Sequence, residues 1–243
     1  MAAAAQERVS RQTIYADYGK HQRLPLLNTE KLMAFIDTID DRDLDAEVRA
    51  MYDRQQAHYG FVPNYARAFC HRPYVMALWA ALQNGIRREM DKRRFELVTF
   101  AAAHALKSTL CSIAHGRLLS QFIPAEDVLA IGRGEIPPSL TPAEAAMVGY
   151  ARKVAADATT VTADDVQDLK RHGFSDGEIF DIAATSAARA FWSKLLDAVG
   201  VEADAAIQTL APEFTAPLTV GRPLDFVSRV REEASVAPLR RQA

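Results

Sequence analysis

Residues 95–119 read FELVTFAAAHALKSTLCSIAHGRLL, and the fold is decided there. Asp91 stands ahead of the run as a candidate N-cap, and the residues that follow are apolar almost all round, which predicts a helix buried on every side. Within and beyond that helix, Glu96, Ser108, Cys111 and His115 are separated by twelve, three and four positions. If Ser108 opens a second helix, residues 108, 111 and 115 step round it at 3.6 residues per turn, and their side chains fall within about 60° of one another. The stretch therefore predicts two successive helices, the first central to a core and the second carrying a polar stripe.

That stripe gathers a thiol, a base and a carboxylate. A cysteine on the first turn of a helix feels the positive end of the helix dipole, and an imidazole one turn further on can take its proton, a combination that favours thiolate. Glu96, on the preceding helix, can reach across to orient or recharge His115. A carboxylate inside an apolar helix is rarely left alone, so Glu96 is ion-paired, hydrogen-bonded or functional. The same residues also admit a plainer reading: an inert buried Cys111, and a Ser108 whose oxygen merely accepts the N–H of Cys111. His104, eight residues after Glu96, is a further candidate on a similar face. Cys111 and His115 with Glu96 or His104 could also share a metal ion, as an alternative to proton chemistry.

The rest of the chain is helical in pattern, with no convincing strand, so the fold class is all-α. Residues 1–30 are polar, broken by Pro25, and read as an irregular lead-in. Helical periodicity covers Thr29 to Ile36 and, more strongly, Leu44 to Tyr59, with Val48, Met51, Tyr52 and Gln55 at helical spacing. Gly60 and Pro63 mark a turn before a short helix. Pro73 opens PYVMALWAALQNGIRREM, whose Met76, Leu78, Trp79, Leu82 and Ile86 make a wide apolar face, read as a core helix. Pro124 precedes a short helix. Thr141 with Pro142 and Glu144, then Thr162 with Asp165, then Ser175, announce three more helix starts, and Gly173 ends the middle one. Beyond Ala211, prolines at 212, 217, 223 and 238 leave little periodicity, and 211–243 reads as a tail.

A shift of 82 residues lays Glu96 on Glu178, Ala101 and Ala102 on Ala183 and Ala184, Ala105 on Ala187 and Lys107 on Arg189. On that register Ser108, Cys111 and His115 fall on Ala190, Ser193 and Asp197. The chain thus divides into a first helical half over 31–125 with the reactive residues and a related half over 140–210 without them.

Composition narrows the function. With 243 residues, 49% hydrophobic and 25% charged, the chain is ordinary for a globular protein, and a formal net charge of −2 supplies no basic field for nucleic acid or anionic lipid. Two cysteines, Cys70 and Cys111, are too few for a disulfide scaffold and suit a reducing cytoplasm. The N-terminus has no signal-peptide core and no run reaches membrane-spanning length, so a cytoplasmic protein without a membrane partner is expected. Trp79, Trp192 and the phenylalanines sit at core spacing, and Gly132 and Gly134 lack the strand and helix context of a phosphate loop; no cofactor is expected.

The Glu–x11–Ser–x2–Cys–x3–His pattern, with GFVPNYARAF and HRPYVMALWAAL before it and LTPAEAAMVGYARKVAADATTVTADDVQDLKRHG after it, resembles the AhpD-like and carboxymuconolactone decarboxylase superfamily over about residues 45–202. The resemblance implies an all-helical bundle assembled as a homo-oligomer, often trimeric. In the redox branch the position of Cys111 holds the thiol that attacks peroxide, with Glu96 and His115 as proton relay and a second cysteine as resolver. Ser108 occupies the resolver's position, and a hydroxyl cannot condense with a sulfenic acid to form a disulfide. The expectation is a one-cysteine thiol peroxidase reduced by an external thiol or, failing that, by Cys70. The alternatives are acid–base chemistry on a small organic acid or lactone by Glu96 and His115, as in the decarboxylase branch, and a non-enzymatic member.

Overall fold

The structure, a computed structural model, describes residues 34–224. It is all-α, and no strand occurs among the described residues. The helices run α1 (Ala46–Tyr59), α2 (Asn64–Ala68), α3 (Pro73–Ile86), α4 (Lys92–Ala105), α5 (Thr109–Leu119), α6 (Ala125–Gly132), α7 (Pro142–Asp157), α8 (Ala163–Arg171), α9 (Asp176–Ala198), α10 (Ala205–Gln208) and α11 (Pro212–Leu218). The lead-in over 1–30 lies outside the described residues. So do residues 29–33 of the first expected helix, and Ala34–Ile36 form a bend rather than a helical turn.

Helix starts follow the capping chemistry of the sequence. Asp91 accepts a hydrogen bond from Arg94 N at 3.0 Å and opens α4. Thr141 and Glu144 exchange bonds at the start of α7, as do Ser175 and Glu178 at the start of α9, while Thr162 N donates to Asp165 at the start of α8. Each such box satisfies amide groups that have no partner inside the helix, worth about 1 kcal/mol apiece.

Helix α4 is the centre of the bundle. It packs against α5, α7 and α9, and α9 also packs against α7. Leu97, Val98, Phe100 and Ala101–Ala103 are sealed from solvent, with Ile113, Met147 and Ile182 facing them from the surrounding helices. The alanine run lets neighbouring backbones approach closely, and the larger side chains contribute about 1.5–3 kcal/mol each on burial. Arg93, at the edge of this core, bonds Glu144 at 2.5 and 3.1 Å and the carbonyls of Phe122 and Ser139, clamping α4 to α7 and two loops. A second cluster, built from Val48, Met51 and Tyr52 of α1 with Phe69, Cys70 and Leu196, covers the other end of α9.

Three expectations change. Helix α3 is not a core helix. Met76 is buried, but Leu78 and Leu82 are 68% and 52% exposed, and Tyr74 is open beside them, because only one edge of α3 meets α9. The segment after Ala211, read as a tail with little periodicity, contains a helix within the residues described up to 224: α11 folds back, and Leu218 is fully buried between Gly116 of α5 and Gly132 of α6. Its Cδ1 lies 2.9 Å from where a Cβ on Gly116 would stand, so a larger residue there displaces it. Finally, the two halves differ where the chemistry lies. Helix α4 ends in a left-handed residue, Lys107 at φ 56°, with Ser108 N donating to Ala103 O at 3.1 Å. Helix α9 instead runs unbroken through the corresponding residues 188–190.

Candidate functional site

The left-handed turn at Lys107 fixes the site, because it stops α4 and lets a fresh helix start at Ser108. Left-handed backbone in a residue with a Cβ costs about 1–2 kcal/mol, offset here by the closing bonds of the turn. Ser108 is the residue preceding α5, yet its hydroxyl makes no cap bond to α5, contrary to the bland expectation. It is sealed from solvent and its hydroxyl has no hydrogen-bond partner, although it lies near enough to Asp197 to oppose the rise that burial causes in that carboxyl. It does not line the cavity that Cys111 and His115 share.

Cys111 is the third residue of α5, where amide groups without helical partners point toward the N-terminus. It is 3% exposed, and with His115 it lines a cavity of about 420 Å³. His115 Nδ1 lies 2.8 Å from Glu96 Oε2, across the α4–α5 contact. Burial is the main cause that pushes the imidazole below its ordinary value. Arg189 pushes the same way, and Glu96 opposes both. A neutral imidazole at pH 7 results, with one ring nitrogen held by the carboxylate.

Arg189 was not singled out from sequence. It extends from α9, is 6% exposed, and places Nη1 3.9 Å from Cys111 Sγ, while its Nε is buried with no acceptor. The signal was present: a lone arginine in the small-residue run AATSAARAF, on the register of Lys107. A buried guanidinium calls for negative charge nearby, and the sulfur is the group it meets. Asp204 also lines the cavity. It takes a hydrogen bond from Asn64 N at 2.7 Å, and burial lifts its carboxyl to about 6.

Aromatic rings form a further part of the lining. Trp192 stacks between Phe69 and Trp79, with centroids 5.2 and 5.1 Å away, and meets Tyr65 edge-on at 5.4 Å. Trp79 and Trp192, read from sequence as packing, thus face a cavity. His104 does not join the site. It sits at the end of α4 beside Phe100 and Gly132, below its ordinary value through burial and Arg152. Cys70 is also elsewhere, buried in the second cluster with Ile39 N donating to its sulfur at 3.3 Å. Among the described residues no three His, Cys, Asp or Glu side chains gather as a metal-holding group, and no helix is long and apolar enough to cross a membrane.

Neither a family model nor a curated protein matches the sequence. Solved structures do match. The alkylhydroperoxidase AhpD core of an uncharacterized peroxidase-related protein from Ralstonia eutropha JMP134 superposes with a TM-score of 0.63 and 23% identity, over 79% of this chain and 100% of that one. An uncharacterized peroxidase-related protein from Silicibacter sp. TM1040 gives 0.64 and 22%, over 75% and 98%. The debrominase Bmp8, in complex with 2,3,4-tribromopyrrole, gives 0.60 and 15%, over 73% and 94%. At these identities the likeness speaks for architecture: the fold is the AhpD-like helical fold, and it is one that carries more than one activity.

Proposed function

We propose that the protein is a thiol-dependent peroxidase of the AhpD-like class with Cys111 as its one reacting cysteine. The observation that carries this reading is Cys111 at the head of α5 on the cavity wall, with Arg189 Nη1 at 3.9 Å and the Glu96–His115 pair beside it. His115 takes the thiol proton and Glu96 holds the resulting imidazolium; Arg189 and the α5 amides balance the charge on sulfur. The thiolate attacks the distal oxygen of a peroxide RO–OH. An S–O bond forms, the O–O bond breaks, and RO⁻ leaves with the proton returned by His115. Sulfur is oxidised to sulfenic acid as the peroxide is reduced to alcohol. An external thiol then condenses with the sulfenic acid, releasing water, and a second thiol releases Cys111 and a disulfide. Ser108 takes no part, because it does not line the cavity and a hydroxyl cannot resolve a sulfenic acid. Cys70 takes no part either, because its sulfur lies outside the cavity.

Peroxide consumption with a small thiol donor tests this, together with mass spectrometry after one equivalent of peroxide. Oxidation confined to Cys111 and loss of turnover in Cys111→Ser, with Cys70→Ser active, are expected; an inert Cys111 refutes it. Arg189 also favours a second reading, acid–base chemistry by Glu96 and His115 on an organic acid, and turnover retained in Cys111→Ser identifies that case. The exposed Tyr74–Leu78–Leu82 stripe of α3 supports assembly as a homo-oligomer.

A further inference from the structure

The lining of the cavity combines two unlike features, and together they describe a ligand. One is Arg189, a permanent positive charge at 6% exposure. A guanidinium carries five N–H donors in a planar fork. Here Nη1 is directed at Cys111 Sγ, while Nε has no acceptor although it is buried. A buried donor without an acceptor costs about 1–3 kcal/mol, and a cation without a counter-charge costs more. A carboxylate in the cavity beside the guanidinium supplies the missing counter-charge, through the charge-assisted hydrogen bonds that arginine forms with planar anions. Beside Arg189, one turn along α9, Trp192 belongs to the stacked series Phe69–Trp192–Trp79, with Tyr65 set edge-on against it. Trp79, Trp192 and Tyr65 line the cavity directly, joined by Phe61 and Phe95. Such a wall favours a flat ring that can stack or meet it edge-on. The volume of about 420 Å³ lies within the range of small-molecule sites and admits one or two rings.

We infer that this cavity binds an aromatic acid, its carboxylate held by Arg189 and its ring set against Trp79 and Trp192, so that the substrate's reacting group is presented to Cys111. This names the substrate class of the site in the proposed function and rests on reading that cavity as the substrate site. The guanidinium faces both the sulfur and the incoming anion, so it holds the two negative groups together where they otherwise repel. A simple peroxide lacks both handles and is a poorer ligand than a molecule with a ring and a charge.

The protein contains two tryptophans, both in this wall, so its intrinsic fluorescence reports on the cavity. Phenylacetate, its uncharged counterpart phenylacetamide and the ringless anion acetate are titrated against the unmodified protein. At least tenfold tighter binding of phenylacetate than of either control is expected, and Arg189→Met brings phenylacetate down to the level of the amide. The proposal is overturned if the amide or acetate matches phenylacetate, if phenylacetate does not bind, or if Arg189→Met, folded by circular dichroism, keeps the preference. Should Arg189→Met not fold, the comparison of the three ligands in the unmodified protein decides alone. Repeating the titration in Cys111→Ser separates this result from the peroxidase reading: the preference persists there whether or not Cys111 reacts with peroxide.

Discussion

Replacing Asp204 by Asn should make the protein more stable at neutral pH. Asp204 lines the cavity, receives the Asn64 amide at 2.7 Å, and has its carboxyl raised from 3.8 to about 6, chiefly by burial. Because the folded protein holds this proton more tightly than the unfolded chain, ionisation works against the fold. The penalty is absent below about pH 4, grows as pH rises between 3.8 and about 6, and stands in full above that. A rise of this size corresponds to about 3 kcal/mol, since each unit is worth about 1.4 kcal/mol. Water entering the cavity screens part of it, so about 2 kcal/mol is expected. Asparagine keeps an oxygen for the Asn64 amide and never ionises. Urea unfolding of both proteins at several values between pH 4 and pH 7.5 should show curves that coincide at the acid end and separate by about 2 kcal/mol at the neutral end, with the variant the more stable. If the variant is less stable at pH 7.5, or if the difference does not change with pH, the carboxylate is not strained by burial. Gain on removing a charge from a binding cavity also marks it as a group kept for use rather than for stability.

Three further outcomes follow from the geometry. Glu96→Gln leaves an acceptor for His115 Nδ1 but removes the charge that holds the imidazolium, and should lower peroxide turnover by about 10²-fold, the lower end of general acid–base contributions, with the helical circular dichroism unchanged. Because burial and Arg189 keep His115 below its ordinary value, activity should fall only on acidification past that lowered value; in Arg189→Met one of the two causes is gone, so the acid limb of the pH–rate profile should move to higher pH. Leu218→Ala should cost about 2–5 kcal/mol in urea unfolding, since it empties the space between α5 and α6, and a loss below 1 kcal/mol refutes that packing.

The helices whose ends are chemically marked could be read from the sequence. Asp91, Thr141, Thr162 and Ser175 each mark the start of a helix through bonds that are local by nature. Glu96 and His115 were legible as a pair because a carboxylate in an apolar helix demands a partner, and the nearest base was one helix away. What failed was everything set by distant parts of the chain. Helical periodicity puts Ser108 on the stripe, but tertiary packing seals it away from the cavity, near Asp197, 89 positions on. Arg189 reaches Cys111 from 78 positions away. The apolar face of α3 has the same spacing whether it meets a core or lies open, so periodicity could not tell Leu78 from Met76. The helix around Leu218 was hidden by Pro212 and Pro217, although a proline in the first turn is compatible with a helix.

The corner at Lys107 is closed by a part of the chain that is made much later. Gly221 N donates to Thr109 Oγ1 at 2.9 Å, and a Cβ on Gly221 would stand 2.0 Å from the Lys107 carbonyl, so only glycine permits this approach. Beside it Arg222 bonds the Asp197 carbonyl and covers the Phe35 ring. During synthesis the nascent polypeptide can build α4, α5 and their neighbours in sequence, but this clasp waits until Gly221 and Arg222 have been made. The sulfur's helix thus acquires this anchorage only after α6 to α11 have been made, and a chain interrupted before residue 221 carries every reacting group while lacking the latch at the start of the helix that presents them.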